Sequence, residues 1–162
     1  MAIEIERRFL VNRALWQKEG LPLALSASAM RQGFLSTVKE RVVRVRLVDA
    51  CGTLTIKGLT RGFAKAEFEY AIPRQDAEQL LDALCEQTPI EKIRYRIEQE
   101  GVLWEVDEFL GANQGLLLAE VELTGEDQKI VLPSWIAQEV SDDPRYFNSS
   151  LSMHPFNTWE KG

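Results

Sequence analysis

In the stretch IEIERRFL, Glu4, Glu6 and Arg8 occupy one parity and Ile5 and Phe9 the other. Successive side chains of a strand point to opposite faces. Two carboxylates would therefore stand on one face about 7 Å apart, with a guanidinium next in line. Carboxylates hold hard cations, and guanidinium or ammonium groups hold anionic oxygens. A face that carries both signs suits an anion that arrives with a cation. The plainer reading is a solvated outer face, since half-exposed antiparallel strands also alternate apolar and polar residues.

The pattern recurs along the chain. Arg44 and Arg46 oppose Val43, Val45 and Leu47, and Lys57 follows Thr53 and Thr55 on the parity opposite Leu54 and Ile56. Glu67 and Glu69 oppose Phe68 and Tyr70; Lys92, Arg94 and Arg96 oppose Ile93, Tyr95 and Ile97. Glu105 and Asp107 oppose Trp104 and Val106, and Glu120 and Glu122 oppose Val121 and Leu123. The polar parity is nearly all formal charge, and after the first strand each strand keeps one sign. Like charges two apart on a strand repel, so a merely wet face has no reason to collect them. A site that binds a polyanion with a metal does.

The elements that must position these residues follow from the same periodicities. A short helix is expected over 12–20, with Asn12 as N-cap and Gly20 just past its end. An apolar connector follows over 21–30. Strands are expected over 3–10, 30–37, 41–49, 52–59, 64–73, 90–99, 102–110 and 116–123, separated by turn residues such as Gly52 and Gly62. Ala77, Leu80, Leu81 and Leu84 recur at helical spacing over 73–87, and a short helix is expected near Trp135. The expected fold is α+β: an antiparallel eight-stranded closed β-barrel with helices packed on the outside. The charged parity then points inward, and the helix over 73–87 covers part of the apolar outer face. The whole chain, 1–162, reads as one domain, with the segment from about 133 packing at the barrel.

Bulk properties exclude several classes. The net charge of −6 argues against a general nucleic-acid binder. One histidine, His154, leaves little material for a histidine triad or a histidine-rich zinc site. No apolar run reaches the roughly 20 residues that cross a membrane, and no signal peptide precedes the first strand, so a cytoplasmic protein is expected. Cys51 and Cys85 lack metal-ligand spacing and read as structural thiols.

EIERRF resembles the Glu-x-Glu-x-Lys signature of the CYTH domain family, the triphosphate tunnel metalloenzymes. RQGFL, RVRL, TIKG, AEFEY, KIRY, WEVDEF and AEVEL follow in that family's order and charge sense. The resemblance implies a tunnel that binds a triphosphate with Mg²⁺ or Mn²⁺. It implies metal-associated roles for Glu4, Glu6, Glu120 and Glu122, with Asp107 a further ligand. It implies phosphate-binding roles for Arg8, Arg44, Arg46, Lys57, Lys92 and Arg94. Glu67 and Glu69 fall on acidic positions of the family; Glu105 is a further tunnel acid, and Arg96 stands toward the rim. Glu4, Glu6 and Lys92 are the catalytic candidates, the general base being a tunnel carboxylate or Lys92. Two departures stand out: Arg8 replaces the usual Lys and will not readily act as a base, and Phe34 replaces a common Tyr. The implied activity is metal-dependent hydrolysis of triphosphate phosphoanhydride bonds, with inorganic tripolyphosphate the leading substrate. Class IV adenylyl cyclase, thiamine triphosphatase and a non-catalytic polyphosphate or nucleotide module are the alternatives. The expected partner is a small polyanion, not nucleic acid or membrane, with a homodimer left open. The tail residues Arg145, Tyr146 and Asn148 are expected to tie the C-terminal segment down, the alternative being that this segment plugs a tunnel mouth.

Overall fold

The computed structural model describes residues 2–59, 61 and 64–159; the turn expected at Gly62 lies outside them. Strands β1 (Ala2–Val11), β2 (Ser26–Ser36), β3 (Val42–Val48) and β4 (Cys51–Lys57) precede β5 (Ala64–Ile72). After a helix come β6 (Ile90–Gln99), β7 (Val102–Phe109) and β8 (Leu117–Glu122). The ladder runs β5-β4-β3-β2-β6-β7-β8-β1, and pairing of β5 with β1 closes it into an eight-stranded antiparallel barrel. Closure removes the free edges that an open sheet would expose. The β6–β7 hairpin turns through Glu100 and Gly101, both at positive φ (54° and 76°), as a two-residue turn that matches strand twist requires.

The barrel is inverted relative to an ordinary one, because its largest apolar clusters lie outside or at one end. Phe9, Trp104, Val106 and Val121 share the outward parity and pack with Trp16 and Trp135. Edge-to-face ring contacts join Phe9 to Trp104 (5.6 Å) and Trp16 to Trp135 (4.9 Å). The N-terminal helix α1 (Arg13–Leu15) is capped by Asn12, as expected, but is only three residues long. It widens into a π turn over Trp16–Gly20 and then a 3₁₀ turn over Leu21–Leu23. A Cβ on Gly20 would fall 2.3 Å from Trp16 Cε3 and 2.9 Å from Trp135 Cδ1, so only glycine lets the two indoles meet the backbone there. On another flank, helix α2 (Arg74–Ala83) lays Ala77 and Leu81 over Val45, the covering role its periodicity implies.

Three expectations need correction. The connector over 21–30 is partly strand: β2 begins at Ser26, where its backbone finds a ladder with Arg96 of β6. Pairing outweighs the weak strand preference of Ser and Ala. The helix expected near Trp135 is instead a ninth strand, β9 (Ile136–Glu139). β5 pairs with β1 only at Ala2–Ile5; β9 pairs with Phe9 and Val11, where backbone groups would otherwise lack partners. Arg7 clamps this strand with two hydrogen bonds to Glu139, at 2.6 and 2.9 Å. Finally, Cys85 is half-buried beside α2, but Cys51 is exposed and has no core role; both are free.

Inside the barrel the inward parity changes character along the strands. Arg8 gives way to Leu10, Glu120 to Leu118, Asp107 to Phe109, Lys92 to Ile90 and Gln32 to Phe34. These apolar residues form a cluster with Val140, Tyr146 and Leu151 of the tail. One end of the barrel is thus filled by apolar side chains, with helix α3 (Asn148–Met153) packed across it. The other end is wet: side-chain exposure rises from 2% at Asp107 and 8% at Arg94 to 27% at Glu105 and 56% at Arg96.

Candidate active site

The charged part of the interior encloses a cavity of about 610 Å³. β1 contributes Glu4, Glu6 and Arg8; β3 contributes Arg44 and Arg46; β4 contributes Lys57. Glu67 and Glu69 line it from β5, Arg94 and Arg96 from β6, Glu105 from β7, and Glu120 and Glu122 from β8. The period-two pattern of each strand aims these groups at one space.

The acids and bases interlock. Arg8 Nη2 donates to Glu6 (3.2 Å) and Glu120 (3.3 Å), and Lys57 Nζ donates to Glu4 (2.9 Å) and lies 3.7 Å from Glu67. The four acids fall into distinct electrostatic states. Burial, with Glu120 and Glu4 beside it, raises the Glu6 pKa to about 7; Arg8 only partly offsets this. Burial also raises Glu4, against Lys57, and raises Glu122 at the mouth. Burial acts on Glu120 too, but Arg8, Arg94 and Lys92 outweigh it and hold that carboxyl well below its usual range. Crowded carboxylates of this kind suit a hard divalent cation. Among the described residues, no three metal-binding side chains already converge on a point that a metal ion could fill. Mg²⁺ commonly takes only one or two carboxylates and completes its shell with phosphate oxygens and water, so an open donor set fits it.

The bases are in the opposite condition. Arg44, Arg46 and Arg94 crowd one another: burial, then Arg44 and Arg94, lowers the Arg46 pKa to about 9. Burial and Arg94 lower Arg44 as well. Arg44 Nη2 donates to Thr55, but Arg44 Nε is buried without a hydrogen-bond partner. A buried unsatisfied donor in a polar cavity is costly unless a ligand supplies the acceptor.

Two expected residues are not at the cavity surface. Lys92 and Asp107 lie behind its wall. Asp107 Oδ1 accepts from Arg94 Nε (2.7 Å) and its Oδ2 from Arg94 Nη2 (2.9 Å), and Lys92 Nζ stands 2.7 Å from the same Oδ2. Burial disfavours the Asp107 charge, but Arg94 and Lys92 outweigh it and hold the pKa at about 2. Lys92 Nζ also donates to Asn148 (3.1 Å), and burial lowers its pKa to about 7. The metal-ligand expectation for Asp107 and the proton-transfer expectation for Lys92 therefore meet a geometric obstacle: Asp107 is occupied by Arg94 and Lys92, and Lys92 by Asp107 and Asn148.

The sequence pattern missed several lining groups. Lys65 shares the inward parity of Glu67 and Glu69, so β5 does not keep one sign; that parity was its available signal. Gln32 is fully buried, accepting from Arg46 Nε and donating to Asn148 Oδ1. Phe147, Asn148 and Ser149 reach the cavity from the tail, which has no periodicity to announce them. Of the three tail residues expected as ties, Asn148 and Tyr146 act so, while Arg145 is exposed and pairs with neighbouring Asp143.

Comparison with known proteins agrees with this geometry. An inorganic triphosphatase from Acetivibrio thermocellus is 41% identical over 162 residues, covering 99% of this chain and 100% of its own length. One from Nitrosomonas europaea is 35% identical over 154 residues, covering 93% and 97%. The crystal structure of an inorganic triphosphatase superimposes with a TM-score of 0.62 at 31% identity, covering 93% of this chain and 97% of that one. A Hippeastrum protein described as an adenylyl cyclase type with dominant triphosphatase activity superimposes at 0.60 with 19% identity, covering 77% and 80%, and shares the fold. The CYTH domain model matches residues 2–151, and the chain belongs to the CYTH domain family.

Proposed function

We propose that this protein is an inorganic triphosphatase that hydrolyses a phosphoanhydride bond of tripolyphosphate with Mg²⁺ or Mn²⁺ as cofactor. The observation that carries the reading is the Arg44–Arg46–Arg94 cluster, whose crowded guanidiniums include a buried donor with no acceptor. Linear polyphosphate brings many anionic oxygens to such a cluster. The names of the similar full-length relatives support the same substrate.

Phosphoryl transfer asks the protein chiefly for positioning and charge neutralisation. Arg8, Arg44, Arg46, Lys57 and Arg94 bind phosphoryl oxygens and stabilise charge that moves to the leaving phosphate. Glu4, Glu6, Glu120 and Glu122 would hold the divalent cation, with Glu67, Glu69 and Glu105 tuning the charge around them. When bound, that cation neutralises phosphate oxygens and acidifies water. Lys92 and Asp107 act at one remove: they fix Arg94, which reaches the cavity. A cavity carboxylate, rather than Lys92 behind the cavity wall, takes the proton of the attacking water. Arg8 keeps a permanent charge and clamps phosphate without exchanging protons.

A product assay tests the reading. Tripolyphosphate, ATP and thiamine triphosphate are offered with Mg²⁺ or Mn²⁺, and orthophosphate, pyrophosphate and cyclic AMP are followed. Orthophosphate released mainly from tripolyphosphate is the expected result. Cyclic AMP with pyrophosphate would identify a cyclase instead, and binding without turnover would identify a polyphosphate sensor.

A further inference from the structure

The cations of the cavity differ in what they hold. Arg8 is paired with Glu6 and Glu120, Lys57 with Glu4 and Glu67, and Arg94 with Asp107 and Glu105. Lys65, opposite Glu4 in the β1–β5 register, has no hydrogen bond or ion pair among the described residues. Its ammonium instead lies 5.6 Å from the centroid of the Phe147 ring. The Arg8 guanidinium lies 5.3 Å from the centroid of the same ring.

A ring face attracts a cation through its quadrupole but takes up none of its strong hydrogen bonds. The three N–H donors of Lys65 therefore remain free toward the cavity, where a carboxylate partner would have consumed them. Phe147 enters from the tail and lines the cavity itself. It forms a platform that holds Lys65 near Arg8 while leaving the Lys65 ammonium available. A counter-ion role for Lys65 toward the acids is the weaker explanation, because Glu4 already has Lys57 at 2.9 Å and Glu6 has Arg8 at 3.2 Å.

We propose that Lys65 is a further phosphate-binding residue of this cavity, contacting phosphoryl oxygens of the substrate, with Phe147 as the residue that positions it. This rests on the triphosphatase reading of the same cavity. Lys65→Met, Lys65→Gln and Lys65→Arg are compared with the wild type in two measurements. One is the KM and kcat for tripolyphosphate with Mg²⁺; the other is calorimetric binding of tripolyphosphate without metal. The two neutral variants are expected to raise KM and Kd about tenfold, as loss of a charged hydrogen bond implies. Lys65→Arg is expected to recover most of both, with thermal midpoints unchanged throughout. Two neutral variants keep the comparison intact if one folds poorly. Wild-type KM and Kd in a folded neutral variant would overturn the proposal, as would Lys65→Arg behaving no better than Lys65→Met. Wild-type protein that neither binds nor hydrolyses tripolyphosphate would overturn the triphosphatase reading and this proposal together. Unchanged neutral variants of an active wild type would overturn the role of Lys65 alone.

Discussion

Asp107→Asn lowers the free energy of unfolding by about 3–5 kcal/mol, the cost of breaking a buried ion pair from one side. Asp107 is 1% exposed; Arg94 contacts both of its oxygens, and Lys92 shares one of them. The amide is nearly isosteric but uncharged, and it offers one acceptor where the carboxylate offers two. Arg94 and Lys92 are then left as neighbouring buried cations, with Glu120 and Glu105 as the remaining acids that act on Arg94. Lys92, already depressed to about 7, can shed its proton and limit the damage, so the lower part of the range is expected at neutral pH. Urea unfolding followed by intrinsic tryptophan fluorescence measures the change; a shift below about 1 kcal/mol contradicts the assignment. The same carboxyl predicts acid sensitivity. Its folded pKa lies below the ordinary value of about 3.9, so its contribution is complete above that value. The contribution is lost as pH falls toward about 2.

Glu6→Gln separates activity from stability. Glu6 stands among Glu4, Glu120 and Arg8, in a buried position that disfavours its charge. The amide keeps an oxygen for the Arg8 hydrogen bond and removes a repulsion with Glu120. Unfolding free energy is therefore expected to stay within about 1 kcal/mol of the wild type. Turnover of tripolyphosphate at limiting Mg²⁺ is expected to fall at least about a hundredfold, since the cation loses a carboxylate and the cavity its charge balance. Initial rates across a Mg²⁺ series, with a thermal midpoint for each protein, give both numbers. Wild-type rates at limiting metal would remove Glu6 from the cation site. Glu4→Gln is a less clean probe, because Lys57 contacts both Glu4 oxygens (2.9 and 3.2 Å) and the amide keeps only one of them as an acceptor.

The barrel was legible because its strands put formal charge on one parity and apolar residues on the other. The covering helix was legible because Ala77 and Leu81 recur at helical spacing and meet Val45. Depth along the barrel was not legible. Lys92 and Arg94 share a strand and a parity, yet Arg94 faces the cavity and Lys92 is sealed behind Asp107 and Asn148. That difference arises from inter-strand register and from the apolar stopper of Phe109, Leu118 and the tail, none of which one strand encodes. Lys65 had the right parity, but the apparent rule of one sign per strand concealed it. β9 was hidden for another reason: it exists to complete an edge of β1, a demand that belongs to the assembled sheet and not to residues 136–139.

The most direct test of a polyphosphate site inside the barrel is calorimetric titration of inorganic tripolyphosphate into wild-type protein and into Arg44→Gln, side by side. Arg44 lines the cavity and carries the buried donor without an acceptor, so its loss strikes the site and little else. The expected result is one site per chain in the wild type, weakened tenfold or more in Arg44→Gln, as loss of a charge-assisted contact implies. No binding to the wild type, or equal affinity in the two proteins, would contradict it.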